Sequence, residues 1–422
     1  MKIIVAIDSF KGCLTSAEAN QAACKGILAK MPDAQVTQVP VSDGGEGCLE
    51  AFRAAMGGEI VEVNVKDPLM RTIVAQYLVQ GDTAVIEIAK ASGLTLLSPE
   101  ERNPMVATSY GTGQLVVDAV RRVCKRIIVG LGGSATSDCG IGMLRAIIDS
   151  LTSGRACSRS AIESSSDCPR PNAAFSKGGS IPAGAPTRSL WDDVRELDDV
   201  HFTIATDVTN PLCGENGAAF VFGPQKFAIK REPSAFDSIA EREQTRPQVK
   251  GALHADILAL DARAKRFAEA SAKHLGRDCQ NMPGAGAAGG LGYAFLQYMN
   301  ADCRSGIDLL LDTIHFDDLL QDANLVITGE GSADRQTLMG KLPFGILQRC
   351  RSVARNLQRT QQHHTPVMLI AGRIADEQQL LNAGFARVAC INPPNLPLEI
   401  ALQPSTAKEN IRLAIAKSLE KL

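Results

Sequence analysis

Short apolar runs alternate along the chain with loops rich in glycine and aspartate, and most of these loops open into segments of helical periodicity. Ile3–Ile7 is the first run, followed by Asp8. Thr15 and Glu18 have the spacing of a capping box, which predicts a helix to about Lys30. Val36–Val41 leads into Ser42-Asp43-Gly44-Gly45-Glu46-Gly47 and a second helix. Arg126–Leu131 leads into Gly132-Gly133-Ser134-Ala135-Thr136-Ser137-Asp138, with a helix from about Gly140. Phe202–Thr206 stops at Asp207, Asn324–Thr328 at Gly329-Glu330-Gly331, and Pro366–Ala371 at Gly372. Repetition of strand, loop and helix predicts mostly parallel sheets.

One stretch departs from that rhythm. Thr72–Val79 and Thr83–Ala89 flank Gly81-Asp82 and read as a β-hairpin. The strand-loop-helix pattern resumes near Asn324, so the expected architecture is α/β in two domains. A Rossmann- or flavodoxin-like parallel-sheet domain takes residues 1–66 and 290–422, and a mixed α/β domain, 67–289, is inserted in it. Residues 150–190 are dominated by Ser, Pro, Gly and Arg without apolar periodicity and read as a loop or disordered linker. Residues 227–252 are also polar and irregular.

Composition narrows the class. A chain of 422 residues suits two or three domains at about 150 residues each. With one Trp, four Tyr and 37 Gly, its cores must be aliphatic and closely packed. A net charge of −2 supplies no global field for nucleic acid or an anionic membrane. Twelve scattered Cys without a C-x-x-C pair or a secretory leader predict reduced thiols in the cytoplasm. No apolar run reaches the ~18 residues of a membrane span.

Ligands of open α/β sheets bind beyond the carboxyl ends of the strands, where helix N-termini favour anions. Lys11, in Asp8-Ser9-Phe10-Lys11-Gly12, is placed to neutralise a phosphate or carboxylate, or is a solvated loop lysine. Asp43 and Glu46 suit Mg²⁺ binding or acceptance of a hydroxyl proton, or else cap a helix. The loop ending at Asp138 offers Ser134, Thr136, Ser137 and Asp138, but lacks the lysine of a Walker A loop. Gly284–Gly289 fits G-x-G-x-x-G formally. The polar segment Asp278–Pro283 before it is no strand, which excludes a Rossmann dinucleotide site and leaves either a glycine-rich helix entry near substrate or close packing. Glu330 and Asp334 suit a metal or ribose, and Lys341 a phosphate. No Ser-His-Asp, Cys-His or zinc-ligand arrangement stands out.

In combination these blocks resemble one family. The blocks are Asp8–Gly12, Pro40–Gly47, Ile86–Ala89 with Ala91–Leu94, Arg102-Asn103-Pro104 with Thr108–Gly113, and Gly130–Asp138. After them come Asp207–Leu212, Phe222–Lys226, Gly284–Gly292 and Thr328–Gly331 to Lys341. Their order and content are similar to those of the bacterial glycerate kinases (glycerate 2-kinases). The resemblance implies two α/β domains with a cleft between them, ATP and Mg²⁺ as cofactors, and phosphorylation of D-glycerate to 2-phosphoglycerate within glyoxylate, glucarate or serine-linked carbon metabolism. It implies Lys11, Asp43 and Asp207 as catalytic residues, with Asp43 and Asp207 sharing base and metal duties in an unassigned order. Ser9, Ser42, Gly44, Gly45, Ser134, Thr136, Asp138, Gly286, Glu330, Asp334 and Lys341 would line the substrate and phosphates, and Arg71 or Arg102 would grip the glycerate carboxylate. A homodimer is compatible with it.

Three segments depart from the family pattern: 150–190, Phe227–Gln248, and Ser332-Ala333, where the family favours Arg-Ile. They keep open two competing readings, a non-catalytic sensor of glycerate or nucleotide, and an inactive kinase copy.

Overall fold

A computed structural model of the chain describes residues 1–10, 12–42, 45, 47–151, 197–228, 252–356 and 365–420. The segments 152–196 and 229–251, which hold nearly all of the two irregular stretches, lie outside the described residues, as do Lys11, Asp43, Gly44 and Glu46. The chain forms two compact units: Met1–Glu59 with Ala205–Asp207 and Arg304–Leu422, and Ile60–Ile204 with Val208–Cys303. The sequence put the junctions near 66 and 290, whereas the units divide at Glu59/Ile60 and Cys303/Arg304.

The chain begins with strands β1 (Lys2–Ile7) and β2 (Gln35–Gln38), joined by the helix Ser16–Lys30. That helix starts at the anticipated capping box: Thr15 accepts from Glu18 N, and Glu18 accepts from Thr15 N. The second unit contributes β3 (Glu59–Lys66), β4 (Thr72–Gln80), β5 (Thr83–Glu87), β6 (Arg126–Gly130), β7 (His201–Ala205) and β8 (Asp302–Arg304). The chain returns through β9 (Leu325–Ala333), β10 (Val367–Ile374) and β11 (Arg387–Cys390).

The first sheet runs β11-β10-β9-β1-β2 and every pairing in it is parallel. With the insertion set aside, this is the flavodoxin-like order 2-1-3-4-5, whose switch point falls between β1 and β9. Central parallel strands are covered on both faces and therefore read as unbroken apolar runs; Ile3 to Ile7 are all fully buried. One face packs Ile3, Val5, Ile7, Leu325 and Ile327 against Ala19, Ala23 and Ile27 of the first helix and Ile411 and Ile415 of the C-terminal helix Pro404–Leu419.

The second sheet runs β3-β4-β5-β6-β7-β8. The anticipated hairpin is present: β4 and β5 pair antiparallel with Gln80 opposite Thr83, and β5 then pairs parallel with β6. Its core gathers Tyr77, Leu115, Val116, Ile127, Val129, Met143, Ile147, Phe202 and Phe295. No described helix is long and apolar enough to cross a membrane.

One reading needs correction. Gly329-Glu330-Gly331 is not a loop after the strand, because β9 continues to Ala333 and Glu330 pairs with Ala371 of β10. Gly329 is held between Ile7 of β1 and Ile370 of β10, and β10 alone carries the pairing on to Ala333, which outweighs the weak strand preference of glycine.

Candidate functional site

In the first unit, candidate residues collect at the switch point. Asp8 follows β1 directly, with its N–H donating to the Gly329 carbonyl at 2.9 Å, and the Asp8 side chain accepts from Ser9 N at 2.7 Å. The exit of β1 is braced from below. Buried Asn20 accepts from Ile7 N at 2.9 Å and donates to the Val39 carbonyl at 2.8 Å. Ser16 Oγ donates to the Ile7 carbonyl at 2.5 Å and accepts from Val41 N at 2.9 Å. These two side chains of the first helix therefore fix the ends of β1 and β2 together, ahead of buried Ser42. Gly45 accepts from Cys48 N, where the helix Cys48–Met56 begins.

Across the switch point, Glu330 is 7 % exposed and its Oε1 accepts from Thr337 Oγ1 at 2.6 Å. Lys341 Nζ bridges Glu330 Oε2 at 3.5 Å and Asp334 Oδ1 at 3.9 Å. Asp334 also caps the short turn Arg335–Met339, accepting from Gln336 N at 2.8 Å. Burial raises the Glu330 carboxyl above its ordinary pKa, with the Lys341 ammonium opposing. Glu330, Asp334 and Lys341 are thus brought together as one small polar cluster.

In the second unit the loop after β6 is built from its own hydroxyls. Ser134 Oγ lies 3.1 Å from Thr136 Oγ1 and donates to the Ala288 carbonyl at 3.3 Å. The carbonyl oxygen of Thr136 accepts from Lys226 Nζ at 2.6 Å, and that of Ser137 from Arg263 Nη2 at 2.9 Å. Asp138 is fully engaged: Oδ2 accepts from Ser109 N, Ser109 Oγ and Gly142 N at 2.8, 2.8 and 3.0 Å, and Oδ1 from Gly140 N at 3.1 Å. It sits at the N-terminus of the helix Ile141–Leu151, where a carboxylate is favoured by the helix dipole.

The Gly284–Gly290 run backs this loop. A Cβ on Gly289 would stand 1.9 Å from the Thr136 carbonyl oxygen, and one on Gly286 would stand 2.3 Å from that of Pro211. The Gly286 N–H donates to the Asn210 carbonyl at 2.9 Å, and these glycines allow close backbone packing.

Arg71 is held at every guanidinium nitrogen. Nε pairs with Asp67 at 2.5 Å, Nη1 with Glu101 at 2.6 Å, and Nη2 donates to the Leu96 carbonyl at 3.3 Å. Arg102 Nε, in contrast, is buried with no hydrogen-bond partner among the described residues. Asp207 follows β7 and is exposed. Lys226 was overlooked as a site residue, since a lysine in sequence reads as solvated; in the structure it is 3 % exposed. Among the described residues no cluster of three or more His, Cys, Asp or Glu could hold a metal ion.

The model of the glycerate kinase family matches residues 3–156, 183–245 and 246–421 and passes over 157–182. A glycerate kinase of Bacillus subtilis (strain 168) is 38% identical over 96% of this chain and 93% of its own length. A glycerate 2-kinase of Escherichia coli (strain K12) is 37% identical over 89% of this chain and 86% of its own. The crystal structure assigned as glycerate kinase 2 from Salmonella typhimurium LT2 superposes with a TM-score of 0.68 at 31% identity, over 100% of this chain and 98% of that one.

Proposed function

Because the chain belongs to the glycerate kinase family, and is a phosphotransferase with an alcohol acceptor, we propose that it transfers the γ-phosphoryl group of ATP to the 2-hydroxyl of D-glycerate. The observation that carries this reading is the span of the match, which takes in the carboxyl-end loops of both units. The 2-hydroxyl is supported by the Escherichia coli relative named a glycerate 2-kinase.

Phosphoryl transfer asks a protein chiefly for positioning and for stabilisation of charge. Loops fixed at their roots, as Asn20 and Ser16 fix the exit of β1, supply the first. Lys11 is assigned to the transferring phosphoryl group. Asp207 and Asp43 are assigned to accepting the hydroxyl proton and to holding the metal. Mg²⁺ is commonly bound through one or two carboxylates plus the nucleotide phosphates, so a two-aspartate set fits it without a closed protein cage. When bound, the ion would neutralise charge on the phosphates. Glu330, Asp334 and Lys341 form a preorganised donor-and-acceptor set suited to a nucleotide or sugar-like hydroxyl.

The test is ADP release with and without D-glycerate. Turnover should depend on D-glycerate, and Asp207→Asn should lower kcat by roughly 10²–10⁴-fold, the usual contribution of a general base. Asparagine keeps the size of the exposed Asp207 side chain, so the variant should fold as its parent does. Near-parental turnover in Asp207→Asn would remove that residue from the mechanism.

A further inference from the structure

Among the described residues of the second unit, two buried donors lack an acceptor. Arg102 Nε and Ser137 Oγ are both buried and make no hydrogen bond among the described residues. Leaving such donors unpaired costs more than a made bond returns, so an acceptor from outside the described residues is expected. Ser137 belongs to the loop after β6. Arg102 is tied to that loop through one short path. Its carbonyl accepts from Ala228 N at 2.7 Å, and Lys226, two residues before Ala228, donates to the Thr136 carbonyl at 2.6 Å.

Lys226 is buried against a neutral carbonyl, and burial lowers its pKa to about 8 although Asp138 opposes the shift. Asp138 does not serve Arg102 Nε or Ser137 Oγ; its oxygens accept from Ser109, Gly140 and Gly142. Two buried donors, Arg102 Nε and Ser137 Oγ, thus lack a partner among the described residues, and Lys226 Nζ is buried against the carbonyl next to Ser137. An oxyanion completes such a set. The other candidate for this duty, Arg71, is closed by Asp67 and Glu101.

We infer that Arg102, with Ser137 Oγ as a second donor, seats the carboxylate of the acceptor substrate, and that Lys226 is a positioning residue holding Ser137 through the Thr136 carbonyl. The planar fork of arginine matches the two oxygens of a carboxylate. The inference rests on the D-glycerate reading given above. A nucleotide phosphate shares the oxyanion chemistry, and separate kinetics for the two substrates distinguish the sources.

The experiment is steady-state kinetics of the full chain with D-glycerate, with glycerol, which lacks the carboxylate, and with varied ATP. Arg102→Ala should raise KM for D-glycerate about 100-fold, as loss of a charge-assisted bidentate pair would, and leave KM for ATP within about threefold. Its preference for D-glycerate over glycerol should collapse. Ser137→Ala should raise KM for D-glycerate about tenfold, and Arg102→Lys should recover part of the loss. Lys226→Met should lose acceptor selectivity beyond any change in melting temperature, and Arg71→Ala should lower the melting temperature while keeping that selectivity. A shift confined to KM for ATP would assign the anion to the nucleotide and overturn the carboxylate seat, as would unchanged KM values for both substrates. If the parent shows no turnover with D-glycerate, the functional reading has failed, and calorimetric titration of D-glycerate judges the seat. Binding that Arg102→Ala abolishes upholds it; absent or unchanged binding overturns it.

Discussion

Glu330 shows what burial does to a single carboxylate. Its folded pKa is raised, chiefly by desolvation, so between the unfolded and folded values the native state binds more protons than the unfolded chain. Stability therefore falls as pH rises through that window, and the cost remains in full above it. Glu330→Gln keeps an acceptor for Thr337 Oγ1 and removes the ionisation. The variant should melt higher relative to its parent at about pH 8 than at about pH 4, read from thermal scans across pH. A difference that does not change with pH would contradict the assignment. Sequence reading singled out Glu330 as a polar residue at a strand end, and it could not see the burial or the longer strand, because glycines on either side suggested an open loop. Lys226 was hidden for a related reason. Nothing in a lysine's sequence context reports that its ammonium ends on a buried carbonyl.

At the scale of elements, Asp138 links two helices. It accepts from the backbone and hydroxyl of Ser109, at the start of the helix Tyr110–Arg121, and from Gly142 in the first turn of Ile141–Leu151. The Ser109 hydroxyl accepts in turn from Met143 N at 3.0 Å. Asp138→Asn would place an amide donor among donors and remove the charge that the helix ends favour. It should cost about 1–3 kcal/mol of stability in urea unfolding; a loss below about 0.5 kcal/mol would show that the cap is dispensable. Most elements were legible. The capping box, the hairpin around Gly81, and the apolar cores of β1, β6, β7, β9 and β10 each follow from local pattern. Strand β3 was not identified, although Val61, Val63 and Val65 alternate with Glu62 and Asn64 in the manner of a half-buried strand. Strand β8, at three residues, is too short to leave a periodic signal. The glycines at 284–290 looked like a ligand loop because sequence cannot separate glycine needed for φ or ligand approach from glycine needed for packing.

For the whole molecule, the parallel order β11-β10-β9-β1-β2 explains why the insertion divides one sheet without disturbing it. The second unit leaves after β2 and the chain re-enters beside β1, at the switch point where α/β sheets bind ligands. The segment 157–182, which the family model passes over, coincides with the stretch whose composition departs from the family pattern, while the matched regions carry the candidate residues of both units. The account as a whole stands on one chemical event, transfer of phosphoryl from ATP to the 2-hydroxyl of D-glycerate. Phosphorus NMR of the purified full chain incubated with ATP, Mg²⁺ and D-glycerate reads that event directly. The account predicts a new phosphomonoester resonance coupled to the single proton on the substrate's second carbon, growing in step with ADP. Coupling to the two protons of the third carbon, or ADP formation without any new phosphomonoester, would contradict it.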